Sequence, residues 1–195
     1  MRQIPRILRI LVTGVALGAL TTAPAARAEA PAPLRVVTEA PALVRIAPAV
    51  LLVEPGGVVT ASIVITDVAG LYGADVRLTF DPALVQVVDA DGGTPGAQIT
   101  PGPLLTSPFI VLNRAENTTG TIGYAATMIN PSLPITGGGV LYLVQFRGVL
   151  TGVMPLVISQ AELSTRTGST LSRSLENGQI RVGYYLRTWL PLMWR

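Results

Sequence analysis

Any chemistry in this 195-residue chain has to come from carboxylates, hydroxyls and arginines, because it contains neither histidine nor cysteine. Those absences exclude disulfides, zinc sites, thiol nucleophiles and every histidine-based acid–base or triad mechanism. Paired carboxylates could in principle hydrolyse a glycosidic bond, but the acids here stand mostly at turns and have no helper group. Asp89 and Asp91, followed by Gly92-Gly93, offer hard oxygen ligands. Two acids without the alternating ligand series of a calcium loop read instead as an Asp-rich turn. Asp81-Pro82 is a turn device of the same kind. Asp75 differs, because it falls inside an alternating apolar pattern. A carboxylate on a strand face can accept directional hydrogen bonds from a partner's Ser or Thr, or pair with a neighbour in the sheet. The expectation is recognition without catalysis, and with no metal or cofactor.

The formal charge of +3 says little about partners. Residues 1–28 hold Arg2, Arg6, Arg9 and Arg27 and no acid; without them 10 Arg face 11 Asp and Glu. A nearly neutral chain without lysine has no basic stripe for a phosphate backbone, so nucleic acid is excluded as a partner.

The elements that must position Asp75 are strands. In Val58–Thr66, Val59, Ala61, Ile63 and Ile65 share one face, with Thr60, Ser62 and Thr66 on the other. In Ala74–Phe80, Ala74, Val76, Leu78 and Phe80 point one way while Asp75, Arg77 and Thr79 point the other. Such alternation describes strands with one face buried and one wet. Further candidates are Val44–Val53, Leu84–Asp89, Pro108–Asn113, Thr121–Met128, Val140–Arg147, Leu156–Gln160 and Gln179–Gly183. Turn signals separate them: Glu54-Pro55-Gly56-Gly57, Asn117-Thr118-Thr119-Gly120, Gly137-Gly138-Gly139 and Asn177-Gly178. Nine short strands in this length imply an all-β, antiparallel two-sheet sandwich.

Arg2, Arg6 and Arg9, the apolar stretch Ile10–Leu20 and Ala26-Arg27-Ala28 read as a secretory signal peptide cleaved after Ala28. The chain is expected to be secreted or on the cell surface, with no transmembrane span left after cleavage. Residues 29–43 form a Pro/Ala-rich linker, residues 44–183 the sandwich and residues 184–195 an aromatic tail. The tail holds both tryptophans and is too short to cross a bilayer. It fits a membrane interface, a sorting signal or a segment docked on the sandwich edge.

The order of these pieces resembles the cohesin family over nearly the whole body. The resemblance rests on Val53-Glu54-Pro55-Gly56-Gly57 before a long strand, and on Gly73–Val85 with its Phe80-Asp81-Pro82 close. Gly120-Thr121-Ile122, Gly139-Val140-Leu141, Val144-Gln145-Phe146 and the final Asn177-Gly178-Gln179-Ile180 complete it. It implies a nine-stranded jelly roll related to some carbohydrate-binding modules. The implied partner is a dockerin domain, which carries its own calcium and is often attached to a polysaccharide-degrading enzyme. On the same resemblance, Asp75 falls where many cohesins hydrogen-bond the dockerin, Ala125 at an outward apolar contact position, and Met128 at a neighbouring, often polar one. With Arg77 these are the candidate partner-binding residues. Gly123, Ala125 and Thr127 make a small, flat row lacking the Leu- and Glu-mediated contacts of better-known members. Direct polysaccharide binding is the rival reading. It needs exposed aromatics, and alternation sends most of the body's inward.

Overall fold

The computed structural model describes residues 40–184, and every regular element among them is a strand. The expected signal peptide, most of the Pro/Ala-rich segment and the tail beyond Tyr184 lie outside the described residues. Ala42 and Leu43, assigned from sequence to the linker, already belong to the first strand.

Twelve strands form two six-stranded sheets. They are β1 (Ala42–Ala47), β2 (Val50–Val53), β3 (Val58–Leu71), β4 (Gly73–Thr79), β5 (Val85–Val87) and β6 (Thr100–Pro101). The second half holds β7 (Phe109–Glu116), β8 (Thr121–Thr127), β9 (Ile135–Gly148), β10 (Gly152–Ser164), β11 (Arg173–Glu176) and β12 (Gly178–Val182). Sheet one runs β11-β1-β3-β9-β5, with β6 also on β9; sheet two runs β2-β12-β10-β4-β8-β7.

The sandwich matches the expectation, while strand count and pairing depart from it. Val44–Val53 is not one strand. Pro48, with no N–H to give a ladder, separates β1 in sheet one from β2 in sheet two. The same crossing happens at Asn177, between β11 and β12. The two crossings run side by side, so β1 pairs with β11 and β2 with β12 in parallel, and the sheets are mixed. Gly178 sits where they touch: a Cβ there would come within 2.9 Å of the Ile46 side chain.

Gly137-Gly138-Gly139 is likewise not a turn but part of β9. β9 shifts register against β3 in this region, and a Cβ on Gly138 would lie 2.4 Å from the Ile65 carbonyl oxygen. Only glycine permits that backbone approach.

The alternation read from sequence is the alternation that packs. Ala61, Ile63 and Ile65 from β3, with Tyr142, Val144 and Phe146 of β9, are buried in one core with Ala74, Val76 and Leu78 from β4 and Ile122 and Tyr124 of β8 in the other sheet. Fully burying each large aliphatic or aromatic side chain stabilises the fold by roughly 1.5–3 kcal/mol, and no disulfide contributes. Where ladders stop short, asparagine amides replace them. Asn117 accepts from the Val87 N–H at 2.8 Å and donates to its carbonyl at 3.0 Å. Asn113 does the same with Ile99, at 2.9 Å each way. Asn177 accepts from the Ile158 N–H at 2.8 Å, where β10 bulges against β4.

Candidate binding face

Four strands of sheet two carry Asp75 and its neighbours. The antiparallel register aligns Glu162 of β10, Asp75 of β4, Ala125 of β8 and Leu112 of β7 in one row across the sheet. The next row is Gln160, Arg77, Gly123 and Arg114. Alternation turns these side chains away from the core, so they form a continuous outer surface.

Asp75 is 27% exposed and Arg77 49%. The two are joined along the strand: Arg77 Nε and Nη2 donate to the Asp75 carboxylate oxygens at 3.2 Å each. That hydrogen bond, and then the carboxylate's charge, raise the Arg77 pKa further. Glu162 accepts from Arg173 Nη2 of β11 at 2.7 Å, and Arg114 pairs with Glu116. The acids and arginines of both rows thus have an opposite charge beside them already.

Ala125 lies half-buried on this face, as expected. Met128 does not: it is 4% exposed and part of the core. Its parity explains why. Ile122, Tyr124 and Ala126 point inward, and Met128 keeps that phase beyond the end of β8, where its N–H donates to the Tyr72 carbonyl at 2.8 Å. Met128 is therefore no outward contact residue.

The face also holds residues the sequence reading missed. Leu112 folds over Gly123, where an added Cβ would meet its Cδ2 at 2.7 Å. Val111, 66% exposed, stands beside Ala125 across a bulge between Ile110 and Leu112. Leu and Glu side chains, missing from the β8 row, are thus supplied by β7 and β10. Two shallow depressions open here. One of about 290 Å³ lies among Arg77, Leu112, Arg114 and Gly123, and one of about 230 Å³ among Asp75, Val111, Ala125 and Glu162.

A profile described as the cohesin domain matches residues 48–182. This chain belongs to the cohesin family. Among solved structures, this cohesin is similar to a type II cohesin domain from the cellulosome of Acetivibrio cellulolyticus, with 18% identity and a TM-score of 0.62, covering 72% of this chain and 95% of that one. It is similar to a non-cellulosomal cohesin of the archaeon Archaeoglobus fulgidus, with 18% identity and a TM-score of 0.58, covering 74% and 93%. A chain of a type I cohesin–dockerin complex from Clostridium thermocellum matches with 12% identity and a TM-score of 0.59, covering 73% and 99%. At these identities the likeness establishes the fold. No match was found among curated proteins.

The other acids weighed for chemistry serve turns in this cohesin. Asp81 Oδ1 accepts from the Ala83 N–H at 2.9 Å. Asp89 Oδ1 accepts from the N–H groups of Gln98 at 2.9 Å and Asp91 at 3.0 Å, and Asp91 caps Gly93 and Thr94. No group of three metal-ligating side chains occurs among the described residues. The two hydrogen bonds, that from Gln98 foremost, hold the Asp89 pKa below its ordinary value. A carboxyl whose folded pKa is depressed stabilises the fold above its unfolded pKa, and that share is lost as pH falls through the folded pKa. Urea titrations from neutral to strongly acidic pH should find Asp89→Asn less stable than the native chain at neutrality, the gap closing at low pH. A gap that persists unchanged at the acid end contradicts this role.

The body's aromatics offer no platform for sugar rings. Phe80, Phe146, Tyr124 and Tyr142 are buried, the Arg166 guanidinium lies 5.8 Å over the Tyr72 ring, and the exposed Phe109 makes no ring contact with another aromatic among the described residues.

Proposed function

We propose that this cohesin is a secreted or surface-held, non-catalytic module that captures a dockerin-bearing protein on the outer face of β10-β4-β8-β7. The observation that carries the reading is the charge arrangement of that face. Its acids and arginines are each paired with an opposite charge, and between them lie the small and apolar side chains of Gly123, Ala125, Leu112 and Val111. Such a surface admits close approach of another protein without stranding a buried charge. Asp75 and Arg77 sit at its centre with lone pairs and N–H groups left for directional bonds. The leader supports action outside the cell, and no helix among the described residues is long and apolar enough to cross a membrane. Calcium enters with the dockerin, and any link to polysaccharide breakdown comes through the protein that dockerin carries.

Pull-down of dockerin domains encoded in the same genome, with and without a calcium chelator, tests the proposal. Calcium-dependent capture of at least one is expected. Failure of every one, together with retarded migration of the chain through a polysaccharide gel, would replace it with direct glycan binding.

A further inference from the structure

The other half of sheet two's outer face, β2-β12-β10, is a strip in which exposed aliphatic side chains of β2 and β10 flank the polar Gln179 and Arg181 of β12. Leu52, Arg181 and Val153 align in one register row, and Val50, Gln179 and Pro155 in the next. Val50, Leu52 and Val153 are 43%, 52% and 60% exposed, and Leu150, just before β10, is 60% exposed. Between them the Gln179 amide, with its oxygen toward Arg181, accepts from the guanidinium at 3.0 and 3.3 Å. Single exposed aliphatics are ordinary, but Val50, Leu52, Leu150 and Val153 grouped on one face mark a surface that something covers.

The central strand of the strip is β12, and the chain leaves it there. Val182 lies between Val53 and Gly152, and the Gly183 N–H still donates to the Val53 carbonyl at 2.9 Å. The residues that follow, 185–195, include Leu186, Trp189, Leu190, Leu192, Met193 and Trp194. Eleven residues reach up to roughly 36–40 Å. Three strands are only about 10 Å across, and five residues of strand only about 17 Å long. Because the segment is tethered to the strip, its effective concentration there is on the order of millimolar, which favours it over a second copy in dilute solution.

We propose that residues 185–195 turn back across β2-β12-β10 and cover the strip, leaving the Asp75 face open. The sequence supplies its own reporter, since Trp189 and Trp194 are its two tryptophans. Fluorescence of the full chain is expected to show emission blue-shifted from that of the urea-unfolded chain. Quenching by acrylamide should be several-fold weaker than for free tryptophan, and neither reading should vary with protein concentration. Leu52→Asp with Val153→Asp, both at exposed positions, should return emission and quenching to hydrated values while the strand circular dichroism is unchanged. Should that pair unfold the chain, Leu52→Thr with Val153→Thr repeats the test with strand-compatible side chains. Native emission equal to that of the unfolded chain overturns the proposal, as does a blue shift untouched by the strip variants. So does a shift that grows with protein concentration, which assigns the strip to a second copy. A shift that arises only on adding phosphatidylglycerol vesicles assigns the segment to a membrane surface and equally overturns it.

Discussion

Phe146→Ala is expected to remove about 3–5 kcal/mol of folding stability, read as a fall in the urea midpoint with an unchanged slope. The ring is fully buried in β9, flanked in register by Val59 of β3 and Val87 of β5. It meets Phe80 edge-on, with centroids 5.6 Å apart and planes at 71°. Phe80 follows directly on β4, so the ring pair ties the centre of sheet one to the strand that carries Asp75. Domains of this kind hold a net stability of about 5–15 kcal/mol, and no cross-link is present here to limit the damage. Val58→Ala, at a half-exposed position on the outer side of β3, is the control and should cost under about 0.5 kcal/mol. A Phe146→Ala loss no larger than the control's would mean that the two sheets do not close on this ring.

The second large effect is on binding. Ala125→Arg should weaken capture of whichever dockerin the pull-down identifies by roughly a hundredfold or more, equivalent to about 3 kcal/mol, because mismatched charge and bulk within an interface cost several kcal/mol. Ala125 is the small residue between Asp75 and Leu112, and a long guanidinium there props the partner off the sheet. Thr60→Arg places the same side chain on an exposed position of sheet one and should leave affinity unchanged. If Thr60→Arg abolishes binding and Ala125→Arg does not, the binding face is the opposite sheet. Isothermal titration of both variants decides it.

The parts of this site that could be read from sequence are those governed by parity within one strand. Asp75 and Arg77 point outward because Ala74, Val76 and Leu78 point in, and these five residues suffice to see that. The same rule, carried one step further along β8, would have turned Met128 inward; its assignment came from resemblance, and parity prevailed. Other features depend on what lies alongside. Leu112 reaches the face only because β7 bulges between Ile110 and Leu112, which resets its phase against β8. Nothing in Phe109-Ile110-Val111-Leu112, four apolar residues in a row, announces where that reset falls. The glycines of β9 look like a turn until β3 is laid against them, and the apolar run Val44–Val53 looks continuous until Pro48 sends its two halves to different sheets. Period-two patterns describe a strand's faces, whereas neighbours and sheet membership come from tertiary packing.

The paired crossings at Pro48 and Asn177 also set how the fold bears load. β1 lies parallel to β11 and β2 parallel to β12, with four residues in register in each pair. Tension applied at Ala42 and Val182 therefore pulls neighbouring strands past one another along their length. Their inter-strand bonds are stretched together rather than opened one after another from an end. A module built in this way resists being drawn out by its two ends far better than a terminal hairpin of equal bond number, which would peel.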